Sequence, residues 1–410
     1  MDPNDSYPLP ELAKVALTFP AIDNHAHPLL RESHRDAFAF EGLISEATGE
    51  ALTKDAVNTV ACFRATLQLG KLFYLENKPS WETIKNVRRE MAYEQLCRNC
   101  MEPSHIQCIL FDDGLGGVTE FSEDYKWHDK FTSSPSKRIV RVEILAEGIL
   151  EHIFDDQLSS ETVNGQDLYF SFRDGLLKAL QDAAEDVEVV GFKSIACYRT
   201  GLNITVFPSV AEIMEGLKIV HSQLKATRKL RLETKAVNDF VVNATLDIAG
   251  QYGKPVQFHT GLGDNDITLS LSSPSHMQPI IKAHPTTKFI LLHSSYPYTR
   301  DAGYLTAVYP NVFLDFGEIF PFLSPEGQAN VIKQVLELCP TNKILWSTDG
   351  HWWPESYYLG SIQAREALLR VLTESVQHKD MSEAQAIKIV KNALFYNANR
   401  VYNLGLEPQH

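Results

Sequence analysis

Short apolar runs recur along the chain, and stretches with helical spacing follow them. The runs are FPAIDNHAH (19–27), HIQCILFDDG (105–114), RIVRVEIL (138–145), VEVVGFKSI (187–195), PVQFHT (255–260), KFILLHSS (288–295), NVFLDFG (311–317) and KILWSTDG (343–350). They do not alternate cleanly between apolar and polar, which is the pattern of parallel strands buried on both faces. Amphipathic stretches such as DLYFSFRDGLLKALQDAAE, AVNDFVVNATLDIAGQYG, MQPIIKAHP and GQANVIKQVLELCP lie between them. Gly253 and Pro340 stop two of these where a helix should stop. Eight parallel strands alternating with helices close into a (β/α)8 barrel, an α/β fold that takes in residues 1–410 as one domain. Residues 30–104 are too long for one crossover. Their runs DAVNTVACFRATLQLGKLFYL and SWETIKNVRREMAYEQLC have helical spacing, which predicts an inserted helical cap region beside the barrel mouth.

Charge and composition narrow the partners. The net charge is −14 and the pI about 5.5. Nucleic-acid binding rests on Lys and Arg neutralising phosphates, so that class is excluded, as is an anionic membrane surface. No apolar run reaches the roughly 20 residues that span a bilayer. The opening MDPNDSYPLPELAKV lacks the basic and apolar regions of a secretory signal, and the six cysteines are sparse for this length. The expected setting is the reducing cytoplasm, and the expected partner a small molecule, with a homodimer as the expected assembly. Cys97 and Cys100 form a C-x-x-C with no second pair, so they read as two helix cysteines without a shared job.

In a barrel the active site lies at the C-terminal ends of the strands. Strand one ends in His25 and His27, whose spacing of two turns both imidazoles to one side. Strand three carries Glu143 and strand four Lys193. Strand five ends in His259, strand six in His293 and strand eight in Asp349. His-x-His alone is a weak motif. Followed by single histidines ending strands five and six and an aspartate ending strand eight, it is a specific one.

The stretches AIDNHAHPLL, ISEATGEAL, GFKSIACYRTGL, FHTGLGDND, LLHSSYPYTRDAGYLTAVYPNVFLDFG and STDGH resemble the amidohydrolase superfamily, in its amidohydrolase-2 branch. The likeness runs nearly end to end and is strongest to the amidohydrolase half of FluG-type proteins, where such a domain precedes a glutamine-synthetase-like one. It implies a divalent metal, zinc or manganese, as one ion or two, held by His25, His27, His259 and Asp349. Neutral imidazoles and carboxylates suit such a metal, which lowers the pKa of a bound water toward 7. Asp349 would take the water proton and pass it to the leaving group. His293 would polarise the carbonyl oxygen or bind a second metal. Lys193 has two readings: a carbamate bridging two metals, or a plain cation gripping a substrate carboxylate. Asp23 would orient an imidazole.

On the substrate side, Arg199 and Arg300 are expected on loops facing the mouth, where each could hold a carboxylate. Tyr198, Tyr296 and Tyr298 would line the same wall, and Glu143 would receive an amine. The alternatives are plain: Arg300 beside Asp301 as a helix cap, the tyrosines as packing, His351 as a surface residue. Trp352 and Trp353 are expected around the entrance, and DDGLGG (112–117) as a flexible turn. The function that follows is hydrolysis of an amide (C–N) bond in a carboxylate-bearing substrate, such as a γ-glutamyl compound. Non-oxidative decarboxylation of an aromatic acid would use the same ligands. A metal-free binding or regulatory module is the reading of another class, and the complete ligand set speaks against it.

Overall fold

The computed structural model describes residues 7–75, 79–112, 114–115, 119–155 and 164–409. Part of the 112–117 turn lies outside the described residues. All eight predicted strands are present: β1 (Ala21–Ala26), β2 (Ile106–Asp112), β3 (Lys137–Arg141), β4 (Val189–Ser194), β5 (Pro255–Phe258), β6 (Lys288–Leu291), β7 (Val312–Asp315) and β8 (Ile344–Leu345). Each pairs in parallel with the next, in chain order. Hydrogen bonds from Asn24 N to Trp346 O, from Asp349 N to His25 O and from His27 N to Gly350 O join the last strand to the first. These bonds draw the two ends of the sheet together into a nearly closed barrel.

Strand three is shorter than its apolar run suggests. The chain turns into the helix Val142–Asp155 directly after Arg141. Val142, Ala146, Leu150 and Phe154 recur every four residues and are all buried, so the helical period prevails over the β-branched stretch. Glu143 therefore stands in the first turn of a helix and not on the strand.

Inside the barrel, Ile22, Leu110, Ile139, Ile290 and Leu345 pack into an inner core closed from below by Phe395, Val401 and Tyr402. A polar layer lies within it. Gln257 donates to Asn24 O (2.7 Å) and to the Tyr402 hydroxyl (2.8 Å), and Asn24 donates to Asp315 (2.9 Å). Between β1 and β2 stand the helices Val60–Leu72, Trp81–Glu90 and Tyr93–Met101. They share a separate small core, built from Phe40, Leu69, Trp81, Ile84 and Leu96 against Trp353, Tyr358 and Leu359. The last three belong to the long helix Pro354–Gln377 and its N-terminal flank. Cys97 and Cys100 lie buried and free in Tyr93–Met101. No helix among the described residues is long and apolar enough to cross a membrane.

Candidate active site

β1 delivers His25 and His27 to the top of the barrel, where their rings meet edge to face with centroids 5.0 Å apart. Asp349, in the turn after β8, brings Oδ1 to 3.2 Å from Nε2 of His25 and 3.5 Å from Nε2 of His27. Its φ of +51° is unusual for a non-glycine residue and costs about 1–3 kcal/mol, so the surroundings must hold it. Asp23 is part of that hold. Its carboxylate accepts from Thr348 N (2.9 Å) and from the Thr348 hydroxyl, one residue before Asp349. Asp23 thus braces the β8 turn, where the sequence suggested that it would orient an imidazole. Burial pushes its carboxyl up to about 8.

His27 is fixed from the other side. Its Nδ1–H donates to the carbonyl of Asp112 (2.9 Å), which leaves Nε2 facing Asp349. The Asp112 carboxylate is taken by Arg141, through Nε (3.0 Å) and Nη2 (2.6 Å). Burial opposes ionisation of Asp112, but Arg141 holds the carboxyl well below the usual carboxylate range. The Lys193 Nζ lies 3.1 Å from Nε2 of His25. Burial pushes this amine down to about 8. Burial, and then the Lys193 charge, push His25 down to about 4. Burial works against ionisation of Asp349, but His293 and the contacts with His25 and His27 hold its carboxyl well below the usual range.

β5 and β6 bring His259 and His293 alongside, with ring centroids 4.2 Å apart. The His259 Nε2–H donates to Leu262 O at 2.6 Å. Burial pushes both imidazoles well below their ordinary value. His293 also lies 5.4 Å from His25, centroid to centroid. After β7 comes a residue that the sequence reading left unassigned. Glu318 is 2% exposed, and its carboxylate lies 3.4 Å from Nδ1 of His293.

His25, His27, Lys193, His259, Glu318 and Asp349 line a cavity of about 290 Å3. Arg141, Arg199, Arg231, Glu46, Asp264 and His351 also line the space. Arg199 pairs with Glu147 at 3.2 Å, and its Nε is buried without a hydrogen-bond partner. Glu46 comes from the insertion; burial and the charges of Asp349 and Asp264 push it up to about 7. Tyr198 and Trp352 also border the cavity, as expected, and His351 does so although its sequence suggested a plain surface residue.

Four other expected contacts, Glu143, Arg300, Tyr296 and Tyr298, are not brought there. Glu143 is fully buried, and its two oxygens accept from Ser194 Oγ (2.7 Å) and Ile195 N (3.1 Å), away from the cavity lining. Arg300 is exposed in the helix Thr299–Val308 and makes two 2.9 Å bonds to Glu337. Tyr296 packs against the main core, and Tyr298 donates to Leu269 O. Neither tyrosine lines the cavity, and the backbone just before them takes positive φ at Ser294 and Ser295.

The arrangement fits a divalent metal. Nδ1 of His25, both ring nitrogens of His293, Oε2 of Glu318 and Oδ1 of Asp349 are buried without hydrogen-bond partners. Such groups are costly to leave unmatched. Three sets of ligand atoms lie within 4.8 Å of one another: His25, His27 and Asp112; His25, His293 and Asp349; and His259, His293 and Glu318. Asp112 is already committed to Arg141, so Asp349 is the carboxylate free to serve His25 and His27. Burial pushes His25, His259 and His293 toward the neutral form, the one that coordinates.

The amidohydrolase family model matches residues 226–404. The FluG protein of Emericella nidulans is 42% identical over 417 residues, covering 98% of this chain and 47% of FluG. The chain therefore spans about half the length of the curated relative it matches. A solved Lactobacillus casei protein assigned as a metal-dependent hydrolase is 25% identical. It has a TM-score of 0.78 and covers 96% of this chain and 97% of that one. A uronate isomerase of Bacillus halodurans, 12% identical with a TM-score of 0.65 over 98% and 97% of the two chains, shares the fold alone. FluG-like sequence along almost the whole chain, the amidohydrolase family match over residues 226–404 and the common barrel together mark the chain as similar to the amidohydrolase superfamily.

Proposed function

We propose that the chain hydrolyses an amide bond of a small, carboxylate-bearing substrate, of which γ-glutamyl compounds are one class. The observation that carries this is the convergence of His25, His27 and Asp349 in a cavity that Arg141, Arg199 and Arg231 also line. His25, His27 and Asp349 would hold a divalent metal, with zinc or manganese suited to such donors. When bound, it would supply Lewis acidity and an activated water. Asp349 would accept the proton of that water and deliver it to the departing nitrogen. His293, on the opposite side of His25, would donate to the carbonyl oxygen as negative charge develops there. Lys193, pushed down to about 8, is placed either to be carboxylated or to remain a cation beside His25. Arg199, with its unpartnered Nε, would receive the substrate carboxylate.

The cavity is at the small end of the range for ligand pockets, which favours a metabolite over a polymer. The test is an assay of the zinc- or manganese-loaded chain against γ-glutamyl and N-acyl amides and, in parallel, a phenolic acid. Amine release is expected, with the Michaelis constant at least tenfold higher in Arg199→Ala and kcat little changed. Carbon dioxide from the phenolic acid with no amine from any amide would replace hydrolysis by decarboxylation.

A further inference from the structure

Two carboxylates of the cavity lining stand apart from the histidine cluster. Glu46 comes from the inserted segment and Asp264 from the loop after β5, and both are half-buried. Among the described residues Glu46 has no hydrogen bond and no ion pair, and the charges that act on it are those of His351, Asp349 and Asp264. Asp264 accepts one bond, from Asp266 N at 2.9 Å.

The plain account is that these acids neutralise the cavity's arginines. Those arginines are already matched. Arg141 is held by Asp112 (2.6 Å), Arg199 by Glu147 (3.2 Å), and Arg231 by Glu233 (2.6 Å) and Asp266 (3.1 Å). Lys193, also in the lining, stands against His25 at 3.1 Å. Glu46 and Asp264 thus gain no countercharge from these side chains. Two carboxylates that face one space repel each other and attract a cation between them. A bare metal ion is not the match: among the described residues, no set of three ligand atoms close enough to hold one includes Glu46 or Asp264. A larger cation that reaches each carboxylate with a separate N–H fits the pair, as an ammonium with three donors does. Tyr198 and Trp352 line the same cavity, and aromatic faces also favour an ammonium.

The arginine side of the cavity calls for an anion on the same molecule. The Arg199 side chain is 9% exposed, and its buried Nε has no hydrogen-bond partner. The two sides meet at one loop, where Arg231 holds Asp266 and Asp266 N is bound by Asp264.

We propose that Glu46, with Asp264, receives the ammonium group of a zwitterionic substrate whose carboxylate is taken by Arg199. The substrate class is an amino-acid derivative with both charges free, and Glu46 is a specificity-determining residue. The role that the sequence gave to Glu143 passes to Glu46. The inference rests on the reading of Arg199 as the carboxylate site.

The test is calorimetric titration of the zinc-loaded full chain with L-glutamate and with glutarate, which has the same carbon chain and two carboxylates but no ammonium. Contacts of the carboxylates with arginine or metal therefore cancel in the comparison. Glutamate is expected to bind tighter by about tenfold or more, the size of one charge-assisted hydrogen bond. Glu46→Gln, at equal metal loading, is expected to remove that preference while changing glutarate affinity by less than about twofold. Equal affinities in the wild type, an equal loss of both ligands in Glu46→Gln, or no binding of either would overturn the proposal. If Glu46→Gln does not fold, Asp264→Asn takes its place with the same outcomes. Hydrolysis is judged separately by amine release. Amine release without a glutamate preference would overturn the ammonium site and keep the hydrolase. A glutamate preference without amine release would keep the ammonium site and remove the hydrolase.

Discussion

At the scale of single residues, the site works through groups whose charge state burial has shifted. Asp23 is the clearest case. Its folded carboxyl titrates at about 8 against an ordinary 3.8, so between those values the folded chain holds a proton that the unfolded chain has released. Its contribution to stability is therefore present below about pH 4 and is lost as pH rises through 8. Asn keeps the shape and removes the titration. Asp23→Asn is expected to gain on the wild type as pH is raised from 5 to 9, measured by urea denaturation midpoints at equal metal loading. A constant difference across that range would show that Asp23 is ionised throughout. Asp349→Asn keeps a ligand oxygen but loses the proton acceptor. Its kcat on whichever amide the assay identifies is expected to fall by about 10^3, in the range for a lost general base. An unchanged kcat would assign the proton transfer elsewhere.

At the scale of elements, each strand end is aimed by the turn that follows it, and neighbouring turns interlock. Gly261, just beyond β5, has φ +75° and lies against the turn beyond β6. A Cβ there would stand 2.3 Å from Tyr296 O and 2.5 Å from the Ser295 carbonyl carbon. Both obstacles are backbone and cannot rotate away. Gly261→Ala is expected to cost about 2–4 kcal/mol, from the left-handed φ and the overlap together, and to lower the melting temperature. A neutral substitution would mean that the two turns move apart freely. The helix after β3 shows how elements redirect chemistry: by starting at Val142 it carries Glu143 away from the cavity lining, to tie β4 to the helix start. Strand seven shows the reverse. No histidine marks its end, yet Asp315 and Glu318 there organise the turns around His293.

At the scale of the whole molecule, the insertion is fastened to the barrel by a buried ion pair. Arg88 is 1% exposed and donates through Nε to Glu355 at 2.6 Å. Glu355 opens the long helix Pro354–Gln377, next to Trp352 and Trp353. Breaking one side of such a pair leaves a buried charge, so Arg88→Met is expected to cost about 3–5 kcal/mol. Adding Glu355→Gln should recover most of it. Additive losses in thermal denaturation would show that the pair is not coupled. Metal should stabilise the same molecule by mass action. Chelation is expected to lower the melting temperature and zinc to restore it, since buried ligand atoms are otherwise unmatched.

The sequence by itself determined the eight strands, the barrel, the helical insertion and the approach of His25, His27, His259, His293 and Asp349 to one another. The reason is local: apolar runs and helical periods are properties of a few neighbouring residues, and parallel order then brings the strand ends together. Tertiary structure decided which acids and bases are free. Asp112 and Arg141 carry no motif in the sequence and neutralise each other in the interior. Arg300 looks like a loop residue at the mouth and is turned outward to Glu337 by its helix. Glu46 and Glu318 carry no motif and reach the cavity because an inserted segment and a strained turn bring them there. A side chain's direction beyond a strand end depends on φ, ψ and contacts from distant segments, and these exist only once the barrel has formed.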